Sequence, residues 1–150
     1  MLGWVHVLCV LLSYAAFLIA FLSGVLFLIQ ENQLKHKHMG ALFHWLPPLA
    51  ALDRVNFLAI GVGFALLTLG VGLGMVRSRI LAGSWEWDAG QAMVAALWLS
   101  YLILWLVRLR ATLRGRRVAL LSILGFSLAL FTFIGIGQMP WHADLWGKTS

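Results

Sequence analysis

Four long apolar runs dominate this sequence, and they restrict its fold more than any other feature. They cover approximately residues 5–29, 55–76, 89–107 and 118–136. Each has about 19 to 25 residues, enough at about 1.5 Å per residue to cross a hydrocarbon layer of about 30 Å. Of the 150 residues, 62% are hydrophobic and 11% are charged, a balance that a soluble domain of this length could not bury. The sequence therefore predicts an all-α integral membrane protein, a bundle of four transmembrane helices that forms a single membrane domain over residues 1–150.

Several kinds of chemistry lack the residues they need. The chain has one cysteine, Cys9, which excludes an internal disulfide, a Cys-x-x-Cys redox pair and a Cys-x-x-Cys-His haem attachment site. The first run is longer than the apolar part of a signal peptide and has no basic start, so we expect it to remain as a span. There is no P-loop, dinucleotide fingerprint or Ser-His-Asp set. We therefore expect no catalytic activity of the chain on its own and no nucleic-acid partner.

The basic residues predict which way the bundle faces. One set of loops holds eight of them: Lys35, Lys37, Arg54, Arg108, Arg110, Arg114, Arg116 and Arg117. The other set holds Arg77, Arg79 and Lys148. Lys and Arg concentrate in loops on the cytoplasmic side of a membrane. Both termini and the loop of residues 77–88 should therefore lie on the outer, periplasmic side of the cell inner (plasma) membrane.

Prolines and glycines predict how the second span begins and packs. Pro47-Pro48 forbids a regular helix interior in residues 39–53, so we expect a surface loop there with at most one interfacial turn. The second span is rich in glycine, and its small residues form two pairs spaced by four, Gly70 with Gly74 and Gly61 with Ala65. Small residues at this spacing let helix backbones approach closely in lipid. The second helix should therefore be central in the bundle.

The outer loop of residues 77–88 contains an unusual run, Gly83-Ser84-Trp85-Glu86-Trp87-Asp88. Tryptophans at a membrane surface are often simple interfacial anchors. Two large rings beside carboxylates can also form a platform for a flat ligand. His6 and His142 fall at the same outer face, and two imidazoles that face each other across a platform can ligate haem iron. Each histidine can equally be an interfacial polar residue, and the residues alone leave both readings open.

Together these residues resemble the cytochrome c assembly family of haem-handling membrane proteins, which includes CcsA (also called ResC), CcmC and CcmF, with HemX-like and YpjD-like relatives. Trp85-Glu86-Trp87-Asp88 is similar to the end of the Trp-rich signature of that family. Weaker similarities follow its order along the chain: Trp4-Val5-His6-Val7, Leu46-Pro47-Pro48-Leu49, Gly72-Leu73-Gly74, Arg114-Gly115-Arg116-Arg117 and Phe131-Thr132-Phe133-Ile134-Gly135.

The resemblance implies a haem-binding site at the outer face. By position, His6 and His142 would be the axial ligands of the iron of haem b, and Trp85, Trp87 and Asp88 the platform. Haem would be presented there to apocytochrome c, together with an assembly partner such as a CcsB/ResB-like protein. The family is typically longer, so the chain resembles its C-terminal part. A partner subunit or a homo-oligomer would then complete the bundle.

The chain also departs from the family pattern. The leading Trp-Gly of the signature falls at Leu81-Ala82, and the Pro-Lys-Glu that follows its Asp falls at Ala89-Gly90-Gln91. The histidine that CcsA-type members carry in the next helix falls at Leu106. These departures support an alternative, a non-haem membrane scaffold or accessory subunit related to the HemX-like and YpjD-like proteins.

Overall fold

The computed structural model describes residues 1–37, 40–83, 89–110 and 115–137. Over these ranges the chain forms four α-helices and a short 3₁₀ helix: α1 (Leu2–Lys35), the 3₁₀ helix (Ala41–His44), α2 (Leu49–Ala82), α3 (Ala89–Leu109) and α4 (Arg116–Gly137). All four α-helices of the described residues are long and apolar enough to cross a membrane. The predicted all-helical fold with four long apolar helices is confirmed.

Two helices extend well beyond the predicted spans. Both α1 and α2 have 34 residues, which at 1.5 Å per residue gives about 51 Å against a hydrocarbon core of about 30 Å. The predicted loop of residues 77–88 is wrong in its first half, because residues 77–82 continue α2. A helix satisfies its own backbone groups in water as well as in lipid, so the membrane boundary does not by itself end it. The helix ends at Gly83, which takes a left-handed conformation (φ 65°) and donates its N–H to the Arg79 carbonyl.

The start of α2 also differs from the prediction. A single turn is present in the expected segment, as the 3₁₀ helix of Ala41–His44. However, α2 begins at Leu49, directly after Pro48, and not after Asp53. Pro48 is extended (φ −60°, ψ 150°) and caps the helix. A proline is tolerated at this point because the first N–H groups of a helix have no partner within the helix.

The four helices run alternately up and down. α1 packs against α2 and α4, and α3 packs against the same two helices. The starts of α1 and α3 therefore lie with the ends of α2 and α4, and we call this side of the bundle the His6 end. The opposite side, where α1 and α3 end and α2 and α4 begin, is the Arg108 end.

Aromatic rings fill the centre of the bundle. Phe17 of α1 stacks on Tyr101 of α3, with ring centroids 3.6 Å apart and planes 14° from parallel. Both side chains are fully buried, and Ile60, Leu97 and Ala129 close the core around them. The stack joins two helices that are diagonal in the bundle, so the centre is filled and is not a pore.

Buried polar groups join helices at the Arg108 end. Asn56 of α2 donates from Nδ2 to the Ala20 carbonyl of α1 at 2.8 Å and to Ser122 Oγ of α4 at 3.0 Å. Arg108 was assigned by sequence to the loop after the third span, but it lies within α3 and is buried. Its Nη2 donates to Asp53 at both Oδ1 (2.9 Å) and the backbone oxygen (2.7 Å). The end of α3 is thereby joined to the start of α2.

One of the two predicted glycine pairs forms a close helix contact. A Cβ built on Gly70 would lie 2.9 Å from Cγ2 of Val10, and Gly74 meets His6 in the same way, so this pair lies against α1. The other pair does not form a shared contact. Gly61 faces Trp105 of α3, whereas Ala65 is exposed.

Candidate functional site

His6 lies in the second turn of α1 and turns its ring toward α2. Its Nδ1 is 2.6 Å from the carbonyl oxygen of Gly70. A carbonyl oxygen can only accept a hydrogen bond, so Nδ1 must carry the proton. The other nitrogen, Nε2, has no hydrogen-bond partner among the described residues. In its neutral form, His6 therefore has a lone pair on Nε2 that no described donor uses.

Gly74 provides the space that the His6 ring occupies. A Cβ built on Gly74 would lie 2.9 Å from Cε1 of His6 and 3.2 Å from Nδ1. A larger residue at this position would have to displace the ring. Gly70 and Gly74 stand one helical turn apart, so Gly70 presents the acceptor for Nδ1 and Gly74 leaves the space beside the Cε1 edge of the ring. Together they hold the imidazole in one orientation.

Arg77 continues this contact surface toward the end of the bundle. Arg77 comes one helical turn after Gly74 in α2, and Gly3 comes one turn before His6 in α1. Because the two helices are antiparallel, Arg77 meets Gly3 just as Gly74 meets His6. A Cβ on Gly3 would overlap Nη1 of Arg77, so the guanidinium lies directly on the backbone of α1. Arg77 as a whole is nevertheless exposed. His6 and Arg77 thus stand in neighbouring turns at the same helix–helix contact.

The other predicted site residues fall outside the described residues: Trp85, Trp87, Asp88 and His142, together with Glu86. The described residues that flank them are at the His6 end, because Gly83 follows α2, Ala89 begins α3 and Gly137 ends α4. Trp4, which lies two residues before His6 in α1, is 82% exposed.

The described residues contain no group of three or more His, Cys, Asp or Glu side chains that could hold a metal ion. A zinc-type site, which needs several protein ligands, therefore has no basis in that part of the chain. Haem iron needs one nitrogen from each axial histidine, and a metal-bound histidine usually donates its other N–H to a carbonyl or carboxylate. His6, with Nδ1 bonded to a carbonyl and room made by Gly74, fits that requirement.

The comparison with known families is decisive for the class of protein. A family model described as "Cytochrome C assembly protein" matches residues 2–142. The chain belongs to the cytochrome c assembly protein family. The resemblance inferred from the sequence is therefore confirmed. Four membrane-type helices together with this family make the chain a multi-pass membrane protein.

Individual relatives agree with this assignment. The chain is 32% identical over 132 residues to "Cytochrome c biogenesis protein CcsA" of Chlamydomonas reinhardtii, covering 87% of this chain and 36% of the relative. Proteins with the same name from Prochlorococcus marinus subsp. pastoris and Guillardia theta are 32% and 29% identical, each over 87% of this chain and over 48% and 49% of their own lengths. The chain thus spans half or less of these curated relatives. No solved structure matches it.

Sequence reasoning did not find the partners of His6. Gly70 and Gly74 were interpreted only as a helix-packing pair, and Arg77 only as a charge that sets orientation. Their spacing, at intervals of four and three residues, places all three on one face of α2. Consecutive membrane spans run in opposite directions. This face of α2 could therefore have been considered as the surface that packs against His6 of α1.

Leu106, at the position of the histidine that CcsA-type members were expected to carry, faces away from the described helices. Its side chain is 44% exposed on α3. A residue facing outward here lies against lipid or against a further subunit. The described part of the bundle therefore offers no ligand at this position.

Proposed function

We propose that this family member binds haem b at its His6 end and presents it to apocytochrome c or to an assembly partner. His6 and His142 would be the axial ligands of the iron, and Trp85, Trp87 and Asp88 would form the platform beside the porphyrin. Haem supplies the iron chemistry, while the chain supplies binding and orientation. The single observation that carries the proposal is the His6–Gly70 hydrogen bond, which leaves Nε2 as the nitrogen without a partner among the described residues.

The proposed pairing of His6 with His142 is compatible with the length of the chain. His142 is five residues beyond Gly137, the last residue of α4. An extended chain covers about 3.3–3.6 Å per residue, so five residues reach roughly 17 Å. Packed helices are about 8–10 Å apart, and α4 is a direct neighbour of α1. The tether is therefore long enough for His142 to approach His6.

The proposed outward orientation of the His6 end rests on charge. Of the described basic residues, seven lie at the Arg108 end: Lys35, Lys37, Arg54, Arg108, Arg110, Arg116 and Arg117. Two of the described basic residues, Arg77 and Arg79, lie at the His6 end. This asymmetry supports placing the His6 end at the periplasmic face of the plasma membrane.

We further propose that residues 1–150 act as a single membrane domain that works with other subunits. Relatives about two to three times as long carry the same region, as their coverage of 36–49% indicates. A CcsB/ResB-like partner or a second copy of the chain would then supply further helices. The exposed position of Leu106 in α3 is consistent with such a contact.

The test is an absorption spectrum of the purified chain, oxidised and reduced, after loading with haem b. We expect a Soret band and sharp reduced α and β bands from a low-spin iron with two histidine ligands. The His6→Ala and His142→Ala double variant should lose them. The control is His36→Ala, because His36 is exposed at the opposite end of the bundle.

Two results would contradict the proposal at different levels. A wild-type spectrum without a Soret band after haem addition would support the alternative, a non-haem scaffold or accessory subunit. An unchanged Soret band in the double variant would keep haem but exclude these ligands. If the wild type shows no Soret band, crosslinking in the native membrane would identify the partner of the scaffold.

A further inference from the structure

The position of Arg77 relative to His6 follows from the antiparallel packing of α1 and α2. Gly70 meets Val10, Gly74 meets His6 and Arg77 meets Gly3, so the contacts advance by one helical turn at each step. One turn of helix rises about 5.4 Å. The guanidinium of Arg77 therefore lies one turn closer to the end of the bundle than the imidazole of His6.

The charge of Arg77 is not neutralised within the described residues. The described acids, Glu31 and Asp53, lie at the Arg108 end and pair with Lys35 and Arg108. Arg77 makes no ion pair or hydrogen bond with any described residue, and its side chain is exposed. A guanidinium that lies against a helix backbone, and that the described residues leave without a partner, is in a position to receive an anion from outside the bundle.

We infer that Arg77 binds a carboxylate of the molecule that His6 ligates, namely a propionate group of haem. The inference rests on the proposed haem function and adds a residue to it. Guanidinium groups bind carboxylates through two parallel hydrogen bonds, and this geometry fixes orientation as well as strength. Arg77 would thereby set which edge of the porphyrin faces the end of the bundle, while His6 fixes the iron.

The experiment compares haem b with its dimethyl ester, in which both propionates are capped and uncharged. Titrations monitored at the Soret band give the dissociation constant of each for wild type, Arg77→Gln and Arg77→Lys. The matched control is Arg79→Gln, since Arg79 is two residues further along α2 and is also exposed. Residues two apart on a helix face different directions.

We expect Arg77→Gln to weaken haem b binding about tenfold. This is the lower end of the loss expected when a hydrogen bond to a charged group is removed, and it applies because Arg77 is exposed. The affinity of Arg77→Gln for the dimethyl ester should equal that of wild type, because the ester lacks the free carboxylate that Arg77 would bind. Arg77→Lys keeps the charge without the paired donors and should recover part of the loss. The Soret wavelength should not change, since both histidines remain, and Arg79→Gln should bind both ligands as wild type does.

Other outcomes overturn the inference. Equal losses for haem b and the dimethyl ester in Arg77→Gln would show that Arg77 acts through the fold. No loss for either would show that Arg77 makes no contact with the ligand. Both results leave a haem site that depends on His6 intact. A wild-type chain with no Soret band for either ligand would instead remove the haem function itself, and the inference with it.

Discussion

The two ends of the bundle use polar residues in opposite ways. At the Arg108 end, polar side chains bond across helices: Arg108 to Asp53, and Asn56 to Ser122 and to the Ala20 carbonyl. At the His6 end, one edge of each group contacts a neighbouring helix, and the other edge has no partner in the part of the chain that the structure describes. His6 is held through Nδ1, and Nε2 has no hydrogen-bond partner among the described residues. Arg77 rests on α1 and bonds to no described residue. The polar residues at the Arg108 end hold the helices together, whereas His6 and Arg77 are the residues to which we assign ligand binding.

The largest expected effect is at the Arg108 end. Asp53→Asn removes the counter-charge of an arginine whose side chain is 5% exposed. Removing one partner of a buried ion pair typically costs about 3–5 kcal/mol, and the lower limit applies because the Asp53 carboxylate is itself 34% exposed. We expect the midpoint of thermal or detergent unfolding to fall accordingly.

The control for Asp53→Asn is Glu31→Gln at the same end. Glu31 pairs with Lys35 one turn away at 3.3 Å, and Lys35 is 57% exposed. Exposed pairs of this kind contribute about 0.3–0.5 kcal/mol. Equal losses of stability for the two variants would refute the distinction between the buried pair and the surface pair. The haem spectrum should be the same in both, since neither residue is near His6.

A smaller but more selective effect is expected at the His6 end. Gly74→Ala places a methyl group where a Cβ would be 2.9 Å from Cε1 of His6, so the ring must shift, which disturbs its hydrogen bond to Gly70. Loss of a supporting contact around a metal ligand typically costs 10- to 100-fold in affinity. We expect haem affinity to fall about tenfold in a Soret titration, with a shifted or broadened band.

Gly72→Ala is the matched control for Gly74→Ala. A Cβ at Gly72 would meet nothing within 4 Å. Alanine is favoured over glycine within a helix by about 1 kcal/mol, so this variant should be at least as stable as wild type. It should also bind haem unchanged. If Gly72→Ala lowered haem affinity as much as Gly74→Ala, the cause would be the helix as a whole and not the space beside His6.

The sequence could predict the helices but not which of their faces meet. The number and approximate position of the helices could be predicted, because about 20 apolar residues in a row can be buried only in a membrane. The rotation of each helix about its axis could not. α1 and α2 are apolar on nearly every side, and a uniformly apolar helix carries no pattern that shows which face meets its neighbour. The contact between His6 and Gly70 depends on that rotation.

Arg108 shows the same limit for a charged residue. A basic residue that follows an apolar run is usually exposed at the membrane surface, so the sequence placed Arg108 in a loop. Its burial depends on Asp53, which is 55 positions away and was itself assigned to a loop. Because α2 begins directly after Pro48, Asp53 lies within the helix, where it meets Arg108. The pair could be recognised only once the true start of α2 was known.

The smallest expected effect concerns a polar contact between the two ends, on the outer surface of the bundle. Trp98 of α3 donates from Nε1 to Thr68 Oγ1 of α2 at 3.0 Å, and this contact is exposed. Hydrogen bonds between membrane helices contribute about 0.6 kcal/mol on average. Thr68→Val keeps the shape and removes the acceptor, so the unfolding midpoint should fall only slightly. Ser127→Ala is the control, because the Ser127 hydroxyl donates within its own helix, to the Ile123 carbonyl.

The same variants compared in native membranes extend the test to the proposed partner. A loss several times larger there than in detergent, for Thr68→Val alone, would mean that a further subunit covers this surface and excludes lipid from the Trp98–Thr68 bond. Equal small losses in both environments would place lipid against it.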